Sequence, residues 1–126
     1  MDDTDIDHIT ELVMRLCRAG EGDDGLSARV ALVLHHGNPP KRARYTTRVD
    51  DVSAYLATLG VPYHVRASPQ VPCYLVTIGH PGLFHRLVDA VPRTLPLAAS
   101  CAALQWHVAT TTRRNPRARM HKIGRA

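Results

Sequence analysis

Beyond residue 24 this chain has almost no acid. Residues 25–126 contain only Asp50, Asp51 and Asp89 against fourteen Arg and Lys, a net of +11. Residues 1–24 are the reverse, with eight acids against Arg15 and Arg18, a net of −6, so the overall +5 conceals a division. A body so poor in acid attracts polyanions, because cations that neutralise phosphates release counterions whatever the base sequence. Lysine is scarce too: Arg outnumbers Lys 14 to 2, which suits bidentate contacts to phosphate and guanine.

Aromatic residues are few, one Trp, one Phe and four Tyr, so the core is expected to be mostly Leu, Val and Ala. No apolar run reaches the roughly 18 residues of a membrane span. The acidic start, MDDTDIDHIT, is neither a secretory signal nor a transit peptide. Cys17, Cys73 and Cys101 are odd in number and far apart, which argues against a disulfide framework and against a CxxC zinc pair. A cytoplasmic protein with buried thiols is the expectation. Walker and dinucleotide fingerprints and a G-x-S-x-G elbow are missing. The eight histidines show no HxxxH or HExxH spacing, so they do not form a recognisable zinc set.

What is present fits one domain of ordinary globular composition, 126 residues long and 44% hydrophobic. Ile6, Ile9, Leu12 or Val13, and Leu16 recur at helical steps and predict a helix over 4–19. The run RVALVLHH (29–36) reads as a strand, Gly37–Pro40 as a turn and KRARYTTR (41–48) as the return strand of a hairpin. A helix over 50–59 ends at Gly60. YHVRA (63–67) and CYLVTI (73–78) form a second hairpin, followed by helices over 83–91 and 97–108. The expected fold is α+β, one antiparallel four-stranded sheet of two hairpins covered by helices on one face. Residues 1–112 would form the domain and 113–126, rich in Arg and without acid, a flexible basic tail.

On an extended 41–48 segment, Arg42, Arg44, Thr46 and Arg48 would share one face, roughly 6.7 Å apart, close to the phosphate spacing of one strand. With Lys41, His64 and Arg66 they make a candidate nucleic-acid face, and Arg113, Arg114, Arg117 and Arg119 of the tail would clasp the backbone. Duplex DNA is the expected partner ahead of RNA. The acids Glu21, Asp23 and Asp24 border this basic surface, and such carboxylates are what Mg²⁺-dependent phosphodiester cleavage uses. A third reading has the acidic first helix pair with a basic partner protein.

The succession YTTRVDDVSAYLATLGVPYHVRASPQVPCYLVTIGHPGLFHRLVDAV (45–91) resembles the LAGLIDADG homing-endonuclease family, a helix followed by two hairpin–helix units with a DNA-facing sheet. Leu16–Asp24 can be laid over the naming motif, matching at Leu16 and Asp23 and loosely at Cys17 and Glu21. That resemblance implies DNA binding, a homodimer paired through this helix, and Asp23 as the catalytic, Mg²⁺-binding acid. Arg18 stands where that family has a small residue for close helix packing, which favours a non-cleaving, DNA-binding relative needing no cofactor.

Overall fold

The computed structural model describes residues 3–41, 43–67, 73–79 and 92–114, with the side chains of 112–114 excepted. Its elements are α1 (Asp3–Arg18), α2 (Asp24–Leu34), α3 (Val49–Thr58), β1 (Tyr63–Ala67), β2 (Tyr74–Ile78) and α4 (Leu95–Arg114). The α+β class stands. Arg42, the loop 68–72, the expected helix 83–91 and residues 115–126, with Arg117 and Arg119, lie outside the described residues.

Helix α4 is the centre of the molecule. Every residue from Leu97 to Leu104 is buried, so over these two turns the helix presents no wet face. The small residues Ala98, Ala99, Ser100, Cys101, Ala102 and Ala103 let neighbouring elements approach its backbone. Thr94 Oγ1 accepts from the Leu97 amide at 3.3 Å, and Pro96 sits in the first turn, where its missing N–H leaves nothing unpaired. Helix α4 continues through Arg114, so the backbone of Arg113 and Arg114 belongs to its last turn. Around it pack α1, α2, α3 and β2. Helix α1 buries Ile6, Ile9, Leu12, Val13, Leu16 and Cys17, the stripe its periodicity predicts.

The sheet differs from expectation. Among the described residues it has two strands, β1 and β2, paired antiparallel with Tyr63 opposite Ile78 and Ala67 opposite Tyr74. Residues 29–34, expected as a strand, are the second half of α2, and residues 43–48, expected in the return strand, run as turns. The predicted first hairpin is therefore replaced by a helix and a long loop, and the layout behind the homing-endonuclease resemblance has a helix in that place. The physical reason is visible at both ends of α2. Asp23 Oδ1 accepts from the Leu26 amide at 2.7 Å, a side-chain N-cap. At the other end the Gly37 amide reaches the Leu32 carbonyl at 2.8 Å and the His36 amide the Val33 carbonyl at 3.4 Å, a Schellman closure. Between the caps Ser27, Val30, Ala31 and Leu34 form one buried stripe. An eight-residue apolar run satisfies strand and helix alike; extended upstream to its cap it becomes an 11-residue helix.

Val76 and Ile78 of β2 are buried, and α4 packs against this strand. Alternation and register place His64, Arg66, Leu75 and Thr77 together on the opposite face. Every residue of β1 is exposed.

Candidate nucleic-acid interface

Fourteen residues separate Leu34 from Val49, and those of them that are described form neither helix nor strand. Connections of this length in a small domain are uncommon, and those that exist tend to be functional loops packed by their own side chains. This one carries Lys41, Arg42, Arg44 and Arg48 and no acid.

Two adjacent residues moor it. Thr46 is 1% exposed. Its amide donates to Ser27 Oγ at 3.0 Å, and its hydroxyl donates to the Asp23 carbonyl at 3.0 Å. With that proton engaged, the 2.7 Å contact between the two hydroxyls has Ser27 donating to Thr46 Oγ1. Tyr45 is buried beside it, and its carbonyl accepts from the Ser100 hydroxyl of α4 at 2.8 Å. The Tyr45 ring completes a triangle with His35 and Tyr55, centroids 5.5–5.8 Å apart, and its hydroxyl lies 2.6 Å from His35 Nε2. Burial, with Tyr55 and Asp51 nearby, holds the Tyr45 phenol above its ordinary pKa, so it remains neutral. Burial raises Tyr55 likewise.

The loop is thus bound to α2, α3 and α4 at once. Among the described residues no buried side-chain polar atom lacks a partner.

These anchors turn the basic side chains outward. Lys41, Arg44 and Arg48 are exposed. The Arg44 amide is tied to Asp51 Oδ2 at 3.0 Å, and the Arg48 amide closes a turn on the Arg44 carbonyl at 2.9 Å. Arg44 and Arg48 are therefore delivered by a fastened loop. The strand face expected to carry Arg42, Arg44, Thr46 and Arg48 does not form, because 29–34 is helical and offers no partner strand. Thr46 is an anchor instead of a contact residue. On the sheet, His64 and Arg66 do share an exposed face.

Asp23, expected as the metal ligand, caps α2 with one carboxylate oxygen. Among the described residues no three His, Cys, Asp or Glu side chains gather as a metal site. Asp23→Ala should lower the unfolding free energy in urea by about 1 kcal/mol, and Asp23→Asn by only a few tenths, since Asn caps nearly as well. Equal losses would place the role of Asp23 in its charge.

His36 and His107 form a second pair, ring centroids 5.1 Å apart. His36 occupies the left-handed position after α2, φ 54°, where glycine is usual, and this sets its ring against buried His107. Burial, and then His36, lower the His107 pKa. The unfolded imidazole therefore takes up its proton first as pH falls. Stability contributed by neutral His107 is fully present above about pH 6.5 and lost as pH drops through the folded value. The Tm of the wild type should fall more between about pH 7.5 and 5.5 than that of His107→Gln. Parallel profiles would remove His107 from the acid response.

Sequence reasoning missed Ser27, His35, Tyr55 and Ser100 as the loop's supports. The legible signal was Asp23 three residues before Leu26, a cap that starts a helix and leaves 35–48 as loop. No protein-family model matches the chain, and searches of curated proteins and of solved structures give no match either.

Proposed function

We propose that this protein binds nucleic acid, duplex DNA foremost, using the basic 41–48 loop together with His64 and Arg66 of β1. The observation that carries the proposal is a fourteen-residue loop with four cations and no acid, fastened to the core through Tyr45 and Thr46. A mobile basic loop would lose conformational entropy on every phosphate contact; a moored one loses less. The net of +11 beyond residue 24 supplies the wider field, to which Arg113, Arg114, Arg117 and Arg119 add. Cleavage is no part of the proposal, since the Asp23 carboxylate is engaged as a cap.

Fluorescence anisotropy with a labelled duplex at low salt tests it. Saturable binding at micromolar protein or below is the expected result. Arg44→Ala with Arg48→Ala should weaken binding evenly across DNA sequences and reduce the salt slope by about 2. No binding at low salt would end the proposal. A second reading rests on α1, where exposed Asp3, Asp7 and Glu11 follow one another at four-residue steps. Such an acidic ridge suits a basic protein partner, and capture of basic peptides without DNA binding would favour it.

A further inference from the structure

At the interface of α1 and α4 two thiols meet. Cys17 Sγ lies 3.8 Å from Cys101 Sγ, and both residues are buried, each 5% exposed. The Cys101 sulfur is also 3.8 Å from the Val13 carbonyl, so its S–H has two acceptors within one turn of α1. Cys17 stands in the last turn of α1, the part of a helix that opens most readily. The third thiol, Cys73, is half-buried in another part of the fold, just before β2.

We infer that Cys17 and Cys101 form a disulfide when the protein meets hydrogen peroxide, so that α1 becomes covalently linked to α4. Bond formation requires the sulfurs to close by about 1.8 Å, to the usual 2.05 Å, a distance that side-chain rotation and a small shift of the last turn of α1 can cover. The two thiols are unequal. The hydrogen bond from Cys101 holds the Cys17 thiol below its ordinary pKa although burial opposes this, and Cys101 is pushed well above.

The position of Cys17, in the last turn of α1 where opening admits peroxide, against Cys101 within the buried run of α4, assigns the steps. The Cys17 thiolate attacks one peroxide oxygen, the O–O bond breaks, and Cys17 becomes a sulfenic acid as hydroxide leaves. Cys101 sulfur then attacks Cys17 sulfur, the S–O bond breaks, and the departing hydroxide takes the Cys101 proton as water. In sum two thiols and one peroxide give one disulfide and two waters. The link ties residue 17 to residue 101 and closes most of the chain into a loop, which restricts the unfolded state far more than the folded one.

Trypsin separates the three cysteines into different peptides, 16–18, 67–86 and 94–113. The full chain is treated with graded hydrogen peroxide, denatured, alkylated and digested. The expected product is peptide 16–18 joined to 94–113, an intact mass lower by about 2 Da, reversal by dithiothreitol and a higher Tm before reduction. Cys101→Ser should trap Cys17 as the sulfenic acid, detectable with a dimedone-type probe. The inference is overturned if Cys17 and Cys101 remain alkylatable after Cys73 is oxidised, or if the link runs through Cys73. It is equally overturned if wild type and Cys101→Ser give the same Cys17 product.

Discussion

Gly22→Ala is expected to destabilise the protein by about 3 kcal/mol or more, since an added Cβ meets closer backbone atoms there than at any other described glycine. A Cβ at position 22 would stand 1.9 Å from the Thr46 carbonyl oxygen, 2.4 Å from its carbon and 2.6 Å from its Oγ1. Two of these atoms are backbone, and the third is the hydroxyl that donates to Asp23. The clash cannot be relieved by turning a flexible side-chain end. Either the 20–23 turn or the 45–47 segment must withdraw, and the bonds from Thr46 to Ser27 and Asp23 break with it. Each buried polar group left without a partner adds about 1–3 kcal/mol. For a chain of this size the Tm should drop by about 10 °C. Gly20→Ala is the control, because nothing lies within 4 Å of a Cβ there. Its Tm should stay within a degree or two of wild type. Equal stability of the two variants would show that the contact between Gly22 and Thr46 does not hold the loop. On the proposed function, Gly22→Ala should also weaken DNA binding at temperatures where the variant remains folded, although it removes no charge.

The second large effect is the response of binding to salt. Some four to eight phosphate contacts are available to the exposed cations, so the slope of log K against log salt should lie between about −3.6 and −7. Between about 50 and 200 mM salt the affinity for duplex DNA should then fall about 10²- to 10⁴-fold. Neutralising Asp3, Asp7 and Glu11 to Asn and Gln removes negative charge from a face remote in sequence from the basic loop. It should raise affinity while leaving the slope almost unchanged, since these residues contact no phosphate. A flat salt response, or tight binding unaffected by salt, would exclude the electrostatic mechanism and leave the acidic ridge of α1 as the surface to pursue.

Local pattern determined a good part of this molecule by itself. Helix α1 follows from Ile6, Ile9, Leu12 and Leu16, helix α3 from Val52 and Leu56 before Gly60, and the β1–β2 pairing from two short runs, YHVRA and CYLVTI, around a proline-containing loop. These segments carry one period long enough, or one turn signal strong enough, to exclude the alternative. The apolar stretch over 97–108 likewise announced a helix, which runs from Leu95 to Arg114. The charge division was complete in the sequence, because net charge needs no coordinates.

Other features needed the tertiary structure. Residues 29–34 satisfy both strand and helix, and α4 decides between them by offering an all-round apolar surface on which Val30, Ala31 and Leu34 can be buried as one stripe. Once that helix forms, 41–48 has no strand to pair with. Tyr45 and Thr46 both become buried although neighbours on a strand would face opposite ways, and Thr46 changes from an expected contact residue to an anchor. The thiols of Cys17 and Cys101, 84 residues apart, and the rings of His36 and His107 meet only because α1 and α2 pack on one helix. Sequence spacing carries information about neighbours within a few residues along one element. Which elements share a core depends on the summed burial of the whole chain, and that is settled only when all of them pack together.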